Sequence, residues 1–206
     1  MKLKSILYTF VTACILNSSQ MSYAQPAVVG APAPEFTVTD ANGATHSLSQ
    51  YKGKNVVLEW FNPECPFVKK FYKNGDMPKL QKQVVEGGDV WLTINSSAEG
   101  RPGHLNASNA KEVQTALGLS STALLLDPEG TVGMAYGART TPHLFVIDAQ
   151  GTLAYAGAID SAPSTDPDDI AKATNYVTEA ITALKSGKKV TTSSTDPYGC
   201  SVKYKG

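Results

Sequence analysis

The feature that most constrains the fold is a buried strand that leads into a cysteine at the start of a helix. Residues 55–61 (NVVLEWF) form an apolar run with a single acidic residue, which is typical of a central strand covered on both faces. The apolar spacing that follows predicts a helix over residues 66–72. Cys65 therefore lies at the carboxyl edge of the predicted sheet, where open α/β sheets carry their functional sites.

Strands and helices alternate along the rest of the chain. The Asn42-Gly43 pair predicts a β-hairpin between residues 36–39 and 45–48. Further strands are predicted at 89–94, 123–126, 143–148 and 152–158, and further helices at 76–86, 109–117 and 167–185. This order predicts one α/β domain over residues 25–187, with a central mixed sheet flanked by helices and an N-terminal β-hairpin. A Ser/Thr-rich tail that we expect to be extended and flexible follows at residues 188–206.

The first 24 residues have the layout of a secretory signal peptide. Two lysines precede an apolar run over residues 6–16, and small residues on either side of Tyr23 fit a cleavage site before residue 25. The run is shorter than the roughly 20 residues that span a bilayer. A lipoprotein signal at Cys14 is the alternative, which the continuation of the apolar run past that cysteine disfavours. We therefore expect an exported protein, periplasmic or secreted, without a membrane span.

Charge and cysteine content narrow the function further. The chain has 18 basic and 18 acidic residues, so it lacks the basic surface charge of proteins that bind nucleic acids. Removal of residues 1–24 takes away two lysines and no acid, which leaves a net charge of −2. It also leaves two of the three cysteines, Cys65 and Cys200, in a compartment where disulfides form. The three histidines lack metal-ligand spacing and no nucleotide-binding motif is present, so we expect no metal and no cofactor.

A thiol at the position of Cys65 has chemical advantages. The first turn of a helix offers unpaired backbone N–H groups and the positive end of the helix dipole, and both favour the thiolate. Lys69 and Lys70 add positive charge, whereas Glu64 acts against it. Together with Lys73, these lysines are interpreted as a solvated helix face. Position alone leaves open that Cys65 is an inert cysteine at a crowded corner.

Several segments resemble redoxins of the alkyl hydroperoxide reductase/thiol-specific antioxidant type, which belong to the thioredoxin superfamily. These segments are 29–36 (VGAPAPEF), the hairpin, 48–54 (LSQYKGK), the NVVLEWF strand, 140–148 (TTPHLFVID) and 151–155 (GTLAY). The CPFV motif at Cys65, taken with the ending GCSVKY at 199–204, is similar to a peroxiredoxin-like branch of that family. The resemblance covers residues 29–186 and implies a thioredoxin-like fold with antioxidant or other thiol redox activity.

The resemblance implies roles for individual residues. Cys65 matches the nucleophilic cysteine, and Pro142 matches a cis-proline beside it that shapes the substrate edge together with Thr141. Glu59 matches a buried acid of thioredoxin. Such an acid must be paired or neutral, its pKa is expected to rise through burial, and it is a candidate for proton transfer during exchange. The alternative is a Glu59 that points to an edge or a loop.

Other positions depart from the family pattern. Val68 takes the place of the second cysteine of Cys-x-x-Cys, so a vicinal dithiol is absent. Asn62 stands where peroxiredoxins have a threonine, and its amide is a candidate hydrogen-bond donor. The peroxiredoxin arginine aligns near Pro142, and Arg139 is the candidate close to it in sequence. These departures weaken the expectation of fast peroxidase activity.

Cys200 lies in the tail, 135 residues after Cys65. It is a candidate resolving thiol, a permanent staple to the domain, or a site of intermolecular pairing. We expect an enzyme in which Cys65 attacks a peroxide or a disulfide, Cys200 resolves the product, and an external thiol reductant restores both. The single thiol at the corner favours peroxide reduction slightly over disulfide exchange. The alternative function is a non-catalytic binding or scaffold module with a structural disulfide.

Overall fold

The computed structural model describes residues 27–206, so the predicted signal peptide (residues 1–24) and Cys14 lie outside the described residues. The strands are β1 (Thr37–Thr39), β2 (Thr45–Ser47), β3 (Val56–Trp60), β4 (Val90–Asn95), β5 (Ala123–Leu126), β6 (Thr140–Thr141), β7 (His143–Ile147), β8 (Leu153–Gly157) and β9 (Cys200–Ser201). The helices are α1 (Pro66–Lys73), α2 (Asp76–Glu86), α3 (Ala107–Leu117), α4 (Thr131–Tyr136) and α5 (Tyr176–Lys185), with 3-10 helices at Leu48–Tyr51 and Pro167–Lys172. None of the helices in this described part is long and apolar enough to cross a bilayer.

Five strands form the central sheet in the order β5-β4-β3-β7-β8. β3 is parallel to β4, and β4 is parallel to β5. β7 is antiparallel to both of its neighbours, β3 and β8. The predicted α/β class with a central mixed sheet is therefore confirmed.

β3 lies at the centre of this sheet and is covered on both sides, as the apolar run predicted. Because successive side chains of a strand point to opposite faces, its residues divide between two cores. Val57 and the following Phe61 pack into the core formed with α1, α2 and α5. Val56, Leu58 and Trp60 pack into the second core, to which α4 contributes.

The predicted N-terminal hairpin is present as the antiparallel pair of β1 and β2. Its turn is held by the Asp40 carboxylate, which accepts hydrogen bonds from the backbone N–H groups of Asn42 (2.8 Å) and Ala44 (2.9 Å). Gly43 has a φ of +87°, a conformation that side-chain-bearing residues rarely adopt. The local turn chemistry therefore explains why the sequence signal was reliable here.

The helix predicted over residues 167–185 is wrong as a single element. The structure has a 3-10 helix that ends at Lys172, extended backbone at Ala173, and then α5. Asn175 starts α5 because its side chain accepts a hydrogen bond from the N–H of Thr178 at 2.9 Å. α4 and β6 were not predicted, since elements of six and two residues are too short to show a periodic pattern.

The last segment, residues 188–206, is extended but packed against the domain, whereas the sequence suggested a flexible tail. Ser194 forms a parallel bridge with Ala156 of β8. Farther on, β9 pairs with β6, and the N–H of Ala98 donates to the carbonyl of Lys203 at 2.8 Å. The tail therefore runs from the edge of the sheet to the loop after β4.

Candidate active site

Cys65 is the N-cap residue of α1, directly before Pro66 at the first helical position. Its own N–H donates to the carbonyl of Asn62 at 3.1 Å, and its carbonyl accepts from Val68 (3.1 Å) and Lys69 (2.9 Å). The side chain is 3% exposed. The corner between β3 and α1 thus holds the thiol beneath the surface, at the end of a helix where backbone N–H groups have no helical partners.

The peptide bond between Thr141 and Pro142 is cis, as the resemblance implied. It brings the carbonyl oxygen of Thr141 to 3.0 Å from the Cys65 sulfur, which donates its S–H to that oxygen. Thr141 itself is buried. This hydrogen bond belongs to the protonated thiol, because a carbonyl oxygen can only accept.

The tail brings Cys200 to the same place. β9 pairs antiparallel with β6, so that Cys200 lies opposite Thr141 and Ser201 lies opposite Thr140. The following Val202 extends the contact, since its N–H donates to the carbonyl of Arg139 at 3.0 Å. A second thiol, distant in sequence, therefore lies next to the first without any Cys-x-x-Cys motif.

Both cysteines are free thiols, and their pKa values move in opposite directions. Burial acts to raise the pKa of Cys65, but hydrogen bonds from the Cys200 thiol, the Thr141 side chain and the N–H groups of Val68 and Cys200 together lower it. Burial and the adjacent Cys65 sulfur raise the pKa of Cys200 to about 11. Cys65 is therefore the thiol that ionises first, while Cys200 keeps its proton and donates it toward the thiolate.

The comparison with protein families agrees with this geometry. The model of the AhpC/TSA family matches residues 29–156, which include the β3–α1 corner, the cis-proline and most of the sheet. The chain belongs to the AhpC/TSA family. The resemblance identified in the sequence is thereby confirmed.

Individual relatives of this AhpC/TSA protein include thiol redox proteins. The thiol-disulfide oxidoreductase ResA of Geobacillus thermodenitrificans is 32% identical over 132 residues, which cover 61% of this chain and 66% of that protein. The chain thus spans slightly under two thirds of the length of that curated relative.

Solved structures extend the similarity to the fold. An uncharacterized conserved protein from Geobacillus kaustophilus has a TM-score of 0.73 and 26% identity, with 86% of this chain and 93% of that chain covered. The thioredoxin domain of a thiol-disulfide oxidoreductase from Bacteroides vulgatus has a TM-score of 0.50 and 19% identity over 70% of this chain and 96% of that chain. The second likeness concerns the fold alone, which is thioredoxin-like as predicted.

Asn62 holds the loop that precedes the nucleophile. Its Oδ1 accepts a hydrogen bond from the N–H of Glu64 at 2.8 Å. Its Nδ2 donates to the carbonyl of Pro102 at 3.0 Å and to Ser97 Oγ at 3.3 Å. Both amide hydrogens are therefore engaged within the protein, and the side chain fixes the backbone of Glu64, the residue directly before Cys65.

Glu59 lies in β3, fully buried, which excludes the alternative that it points to an edge or a loop. Four buried side chains donate hydrogen bonds to its carboxylate: the Tyr72 hydroxyl (2.8 Å), Gln81 Nε2 (2.9 Å), Trp91 Nε1 (2.9 Å) and Thr93 Oγ1 (3.2 Å). Burial raises its pKa, although all four hydrogen bonds act in the opposite direction. Within residues 27–206 no hydrogen bond joins Glu59 to either thiol, so its role in proton transfer stays a prediction.

Arg139 precedes the cis-proline segment, and its side chain contacts the tail. The guanidinium Nη2 lies 3.5 Å from the carboxylate of Asp196 in an exposed pair. Its backbone N–H donates to Nδ1 of His143 at 3.2 Å. Burial, with a smaller effect of the Arg139 charge, lowers the pKa of His143 to about 3, so this imidazole is neutral and accepts that hydrogen bond. A substrate-binding role of Arg139 stays a prediction.

The interpretation of the α1 lysines as a solvated face is wrong for Lys70. Lys69 and Lys73 are exposed, whereas Lys70 is 2% exposed. Its Nζ donates to the carbonyl of Ala162 at 2.8 Å and lies 3.9 Å from Oδ2 of Asp160. Residue type suggested a solvated lysine, and only the packing of α1 against the segment after β8 shows otherwise.

Three residues that support the site were not singled out from the sequence as functional. Gly199 packs closely against the backbone carbonyl of Thr141. The only sequence signal for a role of this glycine was its position next to Cys200. Tyr198 of the tail contacts Asp160, and no local sequence pattern marks either residue.

Proposed function

We propose that this AhpC/TSA protein is a thiol–disulfide oxidoreductase in which Cys65 attacks a disulfide and Cys200 resolves the mixed disulfide. The observation that carries the proposal is the pair of free thiols that the pairing of Cys200 with Thr141 brings together, with pKa values moved apart, that of Cys65 downward and that of Cys200 upward. A nucleophile that ionises easily beside a protonated second thiol is the arrangement that disulfide exchange needs. The similarity to a thiol-disulfide oxidoreductase supports the same chemistry.

The reaction takes place in two exchange steps. In the first, the Cys65 thiolate attacks one sulfur of the substrate disulfide, the substrate S–S bond breaks, and its second sulfur leaves as a thiolate. In the next, the Cys200 thiol loses its proton to the thiolate released in the first step and attacks the Cys65 sulfur, so that the substrate's remaining sulfur leaves as a second thiolate. The substrate gains two electrons, the protein forms a Cys65–Cys200 disulfide, and an external thiol reductant restores the pair.

Four residues around the thiols complete the proposed site. Thr141 and Pro142 form the rim beside the Cys65 sulfur, at the edge where a substrate sulfur approaches. The N–H of Val68, in the first turn of α1, stabilises the thiolate. Asn62 acts indirectly, because it holds the backbone of Glu64 next to the nucleophile.

Disulfide exchange is better supported than peroxide reduction, toward which the sequence leaned. The amide hydrogens of Asn62 are taken by protein oxygens, so this side chain is not free to polarise a peroxide. A peroxide would convert Cys65 to a sulfenic acid, which Cys200 would condense to the same disulfide with release of water. The test below therefore includes a peroxide.

The proposal is tested with the mature chain and two variants, Cys200→Ser and Cys65→Ser. Oxidised glutathione is added to the reduced proteins and the products are followed by mass spectrometry. We expect a stable glutathione adduct on Cys65 in Cys200→Ser, none in Cys65→Ser, and a Cys65–Cys200 disulfide in the wild type. A wild type that forms neither product would contradict the proposal and favour the scaffold alternative. Faster oxidation of Cys65 by hydrogen peroxide than by oxidised glutathione would favour a peroxidase.

We further propose that the protein acts outside the cytosol, where the predicted signal peptide would direct it. The layout of residues 1–24 is the support for this step. Expression of the full chain with its leader should yield an exported protein that begins at Gln25. A protein that keeps Met1 and stays in the cytosol would contradict export, and a lipid attached at Cys14 would indicate the lipoprotein alternative.

A further inference from the structure

A buried charged pair lies beneath the tail close to Cys200. Lys70 on α1 and Asp160 after β8 face each other, with Nζ and Oδ2 3.9 Å apart and side chains 0% and 2% exposed. Lys70 Nζ also donates to the carbonyl of Ala162 at 2.8 Å. Neither side chain of the pair takes part in the proposed exchange reaction.

Tyr198 connects this pair to the tail. Its hydroxyl donates a hydrogen bond to Asp160 Oδ1, and Lys70 Nζ lies 5.9 Å from the centre of its ring. Phe67 packs edge-to-face on the same ring, with centroids 5.9 Å apart. Burial and the Asp160 carboxylate raise the pKa of the Tyr198 phenol, so it remains a hydrogen-bond donor throughout the ordinary pH range. Tyr198 therefore joins the tail to α1 and to the segment after β8.

The energetics of the pair argue for a role other than stability. Asp160 Oδ2 has no hydrogen-bond partner among the described residues. Buried ion pairs with incomplete hydrogen bonding contribute little net stability, because the cost of removing both charges from water offsets their attraction. Well-packed apolar residues would hold the tail at least as firmly. The Tyr198 hydroxyl, by contrast, can donate to Asp160 only when the tail lies in one position. The charged pair therefore specifies where the tail lies.

The position of the cluster links it to the chemistry. Cys65 caps the N-terminal end of α1, and this helix carries Lys70 little more than one turn later. The tail carries Tyr198 two residues before Cys200. The same helix therefore holds one end of the cluster and the nucleophile, while the same short stretch of tail holds the other end and the second thiol.

We propose that Lys70, Asp160 and Tyr198 form a latch that positions Cys200 for its attack on Cys65. This inference rests on the proposed function, because it concerns the second step of the exchange. The three are positioning residues that act through the tail. A substrate that reaches Cys65 displaces the β9 segment, and the return of Tyr198 to Asp160 restores Cys200 beside the mixed disulfide. The latch thus sets the effective concentration of Cys200 at Cys65.

The test compares Tyr198→Phe, which removes only the hydroxyl, with Tyr51→Phe as a matched control. The hydroxyl of Tyr51 shares a hydrogen bond with Nδ1 of His46, in the hairpin region away from the tail. Three quantities are measured with oxidised glutathione: the rate of adduct formation on Cys65 in a Cys200→Ser background, the rate of Cys65–Cys200 disulfide formation from the adduct, and the reduction potential of the pair. Adduct formation needs a folded site, so it also reports on folding.

We expect Tyr198→Phe to slow resolution about tenfold, since a hydrogen bond to a charged acceptor is lost. The reduction potential should rise by about 30 mV, which is the same tenfold change expressed for a two-electron couple. Adduct formation should not slow, and Tyr51→Phe should match the wild type in all three. Unchanged resolution and potential would overturn the latch, as would an equal slowing of both steps. If Cys65 in Cys200→Ser forms no adduct at all, the proposed function itself fails.

Discussion

Gly199 lies so close to the carbonyl group of Thr141 that a Cβ at position 199 would stand 2.1 Å from the carbonyl oxygen. Its φ of +139° is also a conformation that other residues rarely adopt. Since the next residue is Cys200, this contact sets how near the second thiol can come to the first. The tail therefore fits against the cis-proline segment only because residue 199 has no side chain.

The substitution Gly199→Ala is expected to loosen the β6–β9 pairing. The added methyl group meets backbone rather than a movable side chain, so the tail must shift away from Thr141. We expect disulfide formation between the two thiols to slow by about tenfold or more, given a conformational cost above roughly 1 kcal/mol and the added clash. The rate is measured on reduced protein in a glutathione redox buffer. Gly88→Ala is the control, because Gly88 has a positive φ but open space around it, and its thiols should oxidise at the wild-type rate.

The lowered pKa of Cys65 depends in part on the Cys200 thiol as a donor. Replacing Cys200 by alanine removes that donor, so the thiolate loses stabilisation and the pKa of Cys65 should rise. Cys200→Ser keeps a hydroxyl in its place and is the matched control. Thiolate absorbance near 240 nm, followed against pH, should place the Cys65 pKa in Cys200→Ala above that in Cys200→Ser by about one unit. Equal values in the two variants would mean that the side chain at position 200 does not donate to the thiolate.

The buried carboxyl of Glu59 should make stability depend on pH. Because burial raises its pKa above the ordinary value of 4.5, the folded state favours the protonated form. The group carries no penalty below that ordinary value, and its penalty grows as the pH rises until the folded-state pKa is passed. We therefore expect Glu59→Gln to gain stability relative to the wild type as the pH rises from 4 to 8. The gain is about 1.4 kcal/mol for each unit of pKa difference.

Urea unfolding at several pH values measures this difference. Glu112→Gln, at an exposed position on α3, is the control and should follow the wild type at every pH. A Glu59→Gln variant whose relative stability falls as the pH rises would show that the four donors outweigh burial and that the carboxylate is the favoured form.

Asn62 should contribute to stability and to the reactivity of Cys65 together. Asn62→Ala leaves the half-buried N–H of Glu64, the carbonyl of Pro102 and the buried hydroxyl of Ser97 without their partner. We expect a loss of about 1–3 kcal/mol and a slower attack by Cys65. Thermal unfolding and the rate of adduct formation check both effects. Asn74→Ala, at the exposed C-terminal end of α1, is the matched control and should alter neither quantity.

Local patterns in the sequence were sufficient for the elements that carry the nucleophile. The run at 55–61 predicted a doubly covered strand, and the Asn42-Gly43 turn predicted the hairpin, because strand burial and turn geometry are both encoded by neighbouring residues. The resemblance added the cis bond before Pro142. The prediction of one helix over 167–185 was wrong because Asn175 caps a new helix within that range.

The sequence by itself determined the AhpC/TSA family membership, the mixed sheet, and the place of Cys65 between a strand and a helix. Only the tertiary structure decided that Cys200 lies beside Cys65, that Lys70 is buried, and that the Asn62 amide forms its hydrogen bonds with other groups of the protein. The physical reason is the range of the interactions. Periodicity and turn chemistry act between residues near in sequence, whereas the pairing of Cys200 with Thr141 joins residues far apart in the chain and exists only once the sheet has placed the cis-proline segment at its edge.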